Sequence, residues 1–376
     1  MSYFIRRLPL SRLLLLCALV VALGASATAI AFALGGGPTP PAKPLAQAVH
    51  DALAAPAVQG VSARIQLTDH LLEGADLASG SGGTAGELAS SPLLTGASGR
   101  MWIARDGRAR LELQAEKGDT QILYDGHTVS LYDASSNTLY RYAIPAGEGG
   151  SATGGESGTS GAADHREAPS VAKIEEAISH LSDHANVSGA TPTDIAGQAA
   201  YTVRISPKEG GSLIGGAELS WDAVHGVPLR AAIYSSTSSS PVIELAASEI
   251  SYGPVESSVF EFTPPANAKI DEVKPAGESG AHPSGSPTGG AGHPKVTTHG
   301  HGLATIAVLE SQAQEGEQKS SPALPEGLQQ VKINGVSASE LPTALGTLLS
   351  FERSGVRYLL AGAVTPAAIE AVAKGL

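Results

Sequence analysis

The side chains best able to bind a metal are four histidines in a segment rich in Gly, Pro and Ser, namely His282, His293, His299 and His301. Imidazole is a common ligand of transition metals, and the His299-x-His301 pair could bind one weakly. The segment has no Cys and no closely paired carboxylates that would complete a stable site. We therefore interpret it as a solvated linker, and we predict neither a metal site nor a cofactor.

Motifs with a known catalytic geometry are absent from the sequence. It has no Gly-x-Ser-x-Gly elbow, no Walker loop, no His-Glu-x-x-His and no Rossmann glycine pattern. Asp125 and Asp133 each flank a turn, where an aspartate usually accepts hydrogen bonds from its own backbone. We therefore assign no catalytic residue and predict that the protein is not an enzyme.

Length and composition narrow the class of protein. With 376 residues, the chain has room for two domains and a sizeable core. The formal net charge of −12 argues against a nucleic-acid partner, because phosphate backbones are bound by clustered Lys and Arg. The single cysteine, Cys17, lies in the apolar N-terminal run, which excludes a disulfide framework. Most aromatic residues lie between Trp102 and Phe262, so we expect the packed core there.

The N-terminus predicts an exported protein. Three arginines precede an uncharged apolar run, and they are Arg6, Arg7 and Arg12. The run, Leu13–Leu34, is long enough to cross a bilayer as one helix, which takes about 20 residues. We predict a single-pass anchor in the cytoplasmic membrane with its N-terminus inside and the bulk of the chain extracytoplasmic. The alternative is a cleaved signal peptide with small-residue sites at 25–27 or 31–33, which would release the chain.

The stretch from Gly99 to Tyr142 alternates short apolar runs with turn signals. These signals are Arg105-Asp106-Gly107, Lys117-Gly118-Asp119, Asp125-Gly126 and Ser135-Ser136-Asn137. Asp-Gly between alternating apolar residues favours a tight hairpin turn, because glycine adopts the positive φ that such turns require. The pattern predicts an antiparallel meander of five strands. Such a sheet has one broad apolar face, which a second sheet or a helical layer must cover.

Two groups of residues in this stretch carry a family resemblance. They are Gly99, Met101, Trp102, Ile103 and Arg105, then Leu123, Asp125, Gly126, Thr128, Val129 and Tyr132. Their spacing is similar to the β-sheet core of the periplasmic lipoprotein-carrier superfamily, which includes LolA, LolB and the sigma-factor regulators RseB and MucB. The resemblance implies a curved, incomplete β-barrel with helices across its concave face and an apolar ligand between them.

The resemblance also implies which side chains line the cavity. They are Met101, Ile103, Arg105, Ala109, Leu111, Leu113, Val129 and Leu131. The chain departs from the family pattern at Asp106, where the carriers have proline, and at Ala109 and Leu111, where they often have bulky aromatics. We therefore expect a less aromatic cavity. Alternatively, the same apolar residues form a solid core without a ligand.

Arg105 has two interpretations. In the carrier family the arginine at this position faces the cavity and hydrogen-bonds the lid, and Arg105 shares the parity of Met101 and Ile103. If the Arg105 guanidinium points inward, backbone carbonyls or a carboxylate must accept its hydrogen bonds. Alternatively, because Arg105 ends a strand at an Asp-Gly turn, it is a solvated surface residue.

Elements on either side of the meander complete the predicted domain. Apolar spacing predicts a helix around Leu45–Leu53 and another from Val171, with Ser170 as its N-cap. Alternation predicts a first strand at Val61–Leu67. Further strands are expected at Ala200–Ile205, Gly216–Trp221, Val227–Tyr234, Val242–Ile250 and Phe260–Phe262.

Beyond a linker at 274–302, a small α+β domain is predicted at 303–376. Its strands are expected at Leu303–Leu309, Leu328–Ile333, Thr347–Glu352 and Val356–Leu360, before a helix opened by Thr365-Pro366. The segments from Gly300 to Glu310 and from Leu348 to Leu376 resemble the C-terminal domain of RseB and MucB.

The predicted fold class is α+β, with a curved antiparallel sheet, helices on its concave face, the small C-terminal domain and the N-terminal transmembrane helix. The predicted ranges are a basic tail at 1–12, the apolar segment at 13–34, a tether at 35–43, the sheet domain at 44–273 with disordered loops at 73–98 and 146–170, the linker at 274–302 and the small domain at 303–376.

These features predict a non-catalytic binding protein of the cell envelope whose partners are a lipid or an acylated lipoprotein and the cytoplasmic membrane. One alternative is a regulator that senses envelope lipid and binds an anti-sigma factor or another membrane protein, as the resemblance to RseB implies. Another is a structural, wall-associated domain with a solid core.

Overall fold

The computed structural model describes residues 37–72, 92–115, 118–144, 168–273, 295–312, 324 and 328–376. These residues form two β-sheets and a few helices. The helices are α1 (Leu45–Ala54), α2 (Pro92–Thr95), α3 (Val171–His184) and α4 (Pro366–Lys374). Ser170 caps α3 as predicted, since its hydroxyl accepts a hydrogen bond from the Lys173 amide.

The larger sheet contains 13 strands. They are β1 (Gly60–Asp69), β2 (Ala97–Ala104), β3 (Ala109–Ala115), β4 (Gly118–Tyr124), β5 (Thr128–Asp133), β6 (Thr138–Ala143), β7 (Ala185–Val187), β8 (Thr191–Ile195), β9 (Gln198–Pro207), β10 (Ile214–Asp222), β11 (Pro228–Ser235), β12 (Pro241–Tyr252) and β13 (Lys269–Glu272). Their order is β13-β6-β5-β4-β3-β2-β1-β12-β11-β10-β9-β7, with β8 paired to β9. The expectation of a curved, unclosed sheet is confirmed.

The smaller sheet contains six strands in the order β14-β15-β19-β18-β17-β16. They are β14 (Lys295–His299), β15 (Ile306–Gln312), β16 (Gln329–Ile333), β17 (Val336–Thr343), β18 (Gly346–Arg353) and β19 (Val356–Gly362). Helix α4 packs on this sheet through Ile369 and Ala373, against a core that includes Leu349 and Leu360. The sheet begins at Lys295, inside the segment predicted as a linker, and β17 lies in a stretch for which no strand was predicted.

The five predicted strands of the meander are β2–β6, joined at the predicted turns. Gly107 and Gly126 have φ of +89° and +104°, and Asn137 has φ of +48°, so the turns depend on residues that tolerate positive φ. The Asp125 carboxylate accepts hydrogen bonds from the amides of His127 and Thr128, at 2.9 and 2.7 Å. It stabilises its turn as expected.

One face of the meander is covered by a chain segment that follows β12. This segment holds a 3-10 turn at Ser257–Phe260, so the strand predicted at Phe260–Phe262 was wrong. The Arg110 guanidinium on β3 donates to the Val259 carbonyl at 2.7 Å. The Phe262 ring packs on Tyr132, with 5.4 Å between ring centroids. This segment is therefore held against the meander by a side-chain-to-backbone hydrogen bond and by ring packing. The sequence had predicted strand pairing instead.

The two sheets meet through hydrogen bonds to backbone carbonyls. The Leu213 amide and the Ser212 hydroxyl both donate to the Ala363 carbonyl, at 2.7 and 3.1 Å. The Ala344 amide donates to the Leu71 carbonyl at 2.9 Å. The segments that lead into β10 and out of β1 therefore contact the small domain.

Several sequence predictions fall on residues outside the described ranges. These include the apolar segment Leu13–Leu34, His282, His293 and most of the two loops predicted at 73–98 and 146–170. None of the helices in the described ranges is long and apolar enough to cross a membrane. Within the same ranges, His, Cys, Asp and Glu form no cluster of three or more that could hold a metal ion.

Candidate functional site

Strand pairing aligns six of the eight predicted lining residues in two rows across the meander. The first row is Ala63, Met101, Leu111, Ile122, Leu131 and Tyr140. The second row is Val61, Ile103, Ala109, Tyr124, Val129 and Tyr142. Neither row contains a charged side chain. We call these rows, with their continuation on β9–β12 described below, the apolar face.

Burial varies along the apolar face, and Met101, Ile103 and Leu111 pack against its buried core. Leu113, which shares this face, is 1% exposed and belongs to the buried cluster of Val61, Ala63 and Ile65. Leu113 therefore packs as core. The remaining apolar lining residues are partly exposed, and they are Met101, Ile103, Ala109, Leu111, Val129 and Leu131. Their role as ligand contacts stays a prediction.

Arg105 lies in the turn between β2 and β3 and is exposed. This position corresponds to the solvated alternative rather than to an arginine that faces a cavity. Its neighbour Asp106 stabilises the turn, because the Asp106 carboxylate accepts hydrogen bonds from the backbone amide and the guanidinium of Arg108, at 3.2 and 2.9 Å. Asp106 and Arg108 thus pair with each other at the end of the hairpin.

The apolar face continues across the strands on the other side of β1. Pairing aligns Leu67 with Leu245, Ala231, Leu219 and Val203 in one row, and Ile243 with Ile233, Ala217 and Ile205 in the next. Leu219, Ile233 and Leu245 are 43%, 38% and 36% exposed. Sequence reasoning missed these residues as part of the site, although alternation predicted their strands. Only the pairing of β1 with β12 shows that both halves share one face.

Helix α1 covers the apolar face at its β9–β10 end. Ala48 of α1 is 1% exposed and packs in a cluster with Tyr201 and Trp221. The turn between β10 and β11 meets the end of α1 at Gly226, where φ is +68° and an added Cβ would lie 2.2 Å from the Ala52 carbonyl oxygen. Glycine is required here, because any side chain would push the helix away from the sheet.

The opposite face of β9–β12 carries a network of ion pairs. Arg230 binds Glu218 and Glu244 at 2.7 and 2.6 Å, and Glu218 also pairs with Arg204 at 2.9 Å. Burial alone would raise the pKa of Glu218, but hydrogen bonds from Arg230 and Tyr234 bring it below its ordinary value. Each of these charges has a partner, so the network stabilises the sheet and offers no free acid or base.

Asp222 holds the turn that contacts α1. Its carboxylate is buried and accepts hydrogen bonds from the Tyr252 hydroxyl and from the amides of Val224 and His225, each at 2.7 Å. Burial alone would raise the pKa of Asp222, but these donors lower it. Burial and the Asp222 charge together raise the pKa of the Tyr252 hydroxyl. The carboxylate is fully engaged in fixing the turn, which argues against a catalytic role.

The fold and the apolar face define a β-rich scaffold with a partly exposed hydrophobic surface. Comparisons with models of protein families and with curated proteins found no match. Among solved structures, the chain is similar to the MucA/MucB complex of Pseudomonas aeruginosa, with 12% identity, a TM-score of 0.40, and 87% of this chain and 95% of that chain covered.

Two further structures are similar to this chain. An uncharacterized conserved protein from Thermus thermophilus has 10% identity and a TM-score of 0.34, with 61% of this chain and 97% of that chain covered. A LolA superfamily protein from Nitrosomonas europaea has 8% identity and a TM-score of 0.22, with 59% of this chain and 99% of that chain covered.

Two of these three structures, MucB and the LolA superfamily protein, carry names that the sequence resemblance gave, so the predicted similarity to them is confirmed. TM-scores this low carry no argument about a ligand or a partner.

Proposed function

We propose that this chain is a non-catalytic, extracytoplasmic binding protein for a lipid or the acyl chains of a lipoprotein. The ligand lies on the apolar face, between the curved sheet and its helices. One observation carries the proposal, namely that apolar side chains on one face of the sheet stay partly exposed on both sides of the buried positions of β1. A soluble protein rarely exposes such an extended apolar surface unless it binds something there.

The chemistry of the face favours a hydrocarbon ligand. Its rows offer methyl, methylene and aromatic groups, and the charged groups of β9–β12 lie on the opposite side of the sheet. A polar ligand would lose hydrogen bonds to water here without replacing them. An acyl chain gains about 0.8 kcal/mol for each methylene that it buries, and it needs no directional contact.

The Leu111→Glu variant tests the proposal. Leu111 lies in the first row between Met101 and Ile122, so a carboxylate there should abolish binding of a fluorescent fatty acid at this face. Ser98→Glu is the matched control, because Ser98 is exposed on β2 and has the opposite parity. Circular dichroism should show that both variants are folded. Unchanged binding by Leu111→Glu would contradict a ligand site on the meander rows and favour a solid core there.

The second candidate is a regulator whose small domain binds an anti-sigma factor or another envelope protein. The observation that favours it is the edge strand β14, which pairs on one side with β15 and exposes 63% of Val296. An extended segment of a partner can add to such an edge. Crosslinking from position 296 in intact cells should then capture a membrane protein. Capture of no protein would argue against a partner at this edge.

The compartment is part of the proposal. We place the chain outside the cytoplasm, held in the cytoplasmic membrane by Leu13–Leu34, because a basic cluster precedes this uncharged apolar run. A retained membrane anchor is compatible with a sensor that stays at the membrane. A carrier that moves between membranes must instead be released from its anchor.

A further inference from the structure

A cavity of about 550 Å³ lies where the larger sheet meets the small domain. The end of α3 and strands β9 and β10 form one wall, including Leu181, Ile205 and Ile214. The 3-10 turn at Gly302–Ala304, next to β15 of the small domain, forms the other wall through Leu303. We call this space the junction cavity. Its volume falls in the range of small-molecule sites, which runs from about 300 to 1,000 Å³.

Ser212 lines the junction cavity, but its hydroxyl already makes hydrogen bonds within the protein. The Ser212 hydroxyl donates to the Ala363 carbonyl at 3.1 Å and accepts from the Ile214 amide at 3.0 Å. The titratable groups of the lining, His184, Glu209 and His301, are exposed at its rim. The polar groups of a sugar or a nucleotide would therefore find no partner in Ser212, and partners among these three side chains only where they are exposed, so their burial is costly.

Two exposed leucines face this space from opposite walls. Leu181 of α3 is 41% exposed and Leu303 of the small domain is 50% exposed. A hydrocarbon chain between them would remove both side chains from water, and each apolar Å² so buried contributes about 25 cal/mol. At the rim, His301 lies 3.9 Å from Glu209, so a polar headgroup would remain in water beside ionisable groups.

We propose that the junction cavity binds a single acyl chain, at a site separate from the meander rows of the apolar face. The class of ligand rests on the proposed function, whereas the location rests on the cavity itself. Because its two walls belong to different domains, a bound chain contacts both and stabilises their association. Occupancy of this cavity thus couples lipid binding to the arrangement of the small domain.

The test uses cis-parinaric acid, a fluorescent fatty acid, titrated into the purified chain. If both sites bind, the wild-type protein takes up two molecules per chain. Leu303→Glu and Leu181→Glu should each weaken binding at the junction cavity about 10- to 100-fold, because each places a carboxylate against the hydrocarbon. Ala307→Glu is the matched control on the small domain, since Ala307 is exposed on β15 and does not line the cavity.

Comparison with Leu111→Glu separates this inference from the proposed function. We expect Leu111→Glu to lose the molecule on the meander rows and to keep the one at the junction, and Leu303→Glu to do the reverse. Wild-type binding by both Leu303→Glu and Leu181→Glu would overturn the junction site and leave the proposed function intact. Wild-type binding by Leu111→Glu alone would overturn the site on the meander and leave the junction as the binding site.

Discussion

Glu340 is a carboxylic acid in the core of the small domain. It is 3% exposed on β17, two residues beyond Ala338 of the hydrophobic core. Its Oε1 atom is buried and has no hydrogen-bond partner among the described residues. Burial raises the pKa of Glu340, and the negative charge of Glu370 on α4 raises it further. Relative to the unfolded chain, the folded protein therefore shifts Glu340 toward its neutral form.

The sign of the pH dependence follows from this raised pKa. The folded state binds the proton of Glu340 more tightly than the unfolded state, so its contribution to stability is complete below the unfolded pKa. That contribution is lost as the pH rises through the folded pKa. We predict that Glu340→Gln is more stable than the wild type at pH 7, by about 1 kcal/mol, and similar to it at pH 4.

Urea unfolding at pH 4, 5.5 and 7 measures this difference. Glu352→Gln is the matched control, because Glu352 is exposed on the neighbouring strand β18. If Glu340→Gln and the wild type lost the same free energy of unfolding as the pH rises, the prediction would be contradicted. Ionisation of the buried Glu340 would then not destabilise this domain.

At the scale of the element, local signals predicted the meander well. Its turns contain residues that favour positive φ, such as Gly107 and Gly126, and this information lies within a few residues of sequence. The same reasoning missed β17, because two of its inward positions are Ala338 and the acid Glu340. Burial of a carboxyl breaks the apolar alternation on which strand prediction depends.

Long-range pairing limited what could be predicted of the site. The rows of Met101 and Leu111 followed from local parity, but the continuation through Leu245 and Leu219 depends on how β1 pairs with β12. That pairing has a register shift between Arg64 and Ile65. The junction cavity depends on contacts between two sheets, for which the sequence carries no local signal.

The N-terminal apolar segment gives a prediction at the same scale. Because Leu13–Leu34 is uncharged and follows three arginines, we predict that it is retained as a membrane anchor. N-terminal sequencing of protein from the membrane fraction should therefore find the native start. A new terminus near Thr28 or Leu34 would identify a cleaved signal peptide, and a released carrier would become the better account.

At the scale of the whole molecule, two sheets with separate cores meet at a small contact and a cavity. The larger sheet buries Val61, Ile65 and Leu113, and the smaller sheet buries Leu349 and Leu360 beneath α4. The apolar face and the junction cavity adjoin each other, since Ile205 and Ala217 belong to both. We therefore expect lipid bound to the larger sheet to change the arrangement of the small domain.

Native mass spectrometry of residues 37–376, exported and purified without detergent, tests the central claim most directly. The account predicts a chain that carries one or two bound lipids, whose mass is lost on gentle activation, and fewer bound lipids in Leu111→Glu. A bare chain that also takes up no added fatty acid would contradict lipid binding, and the apolar face would then be part of a solid core.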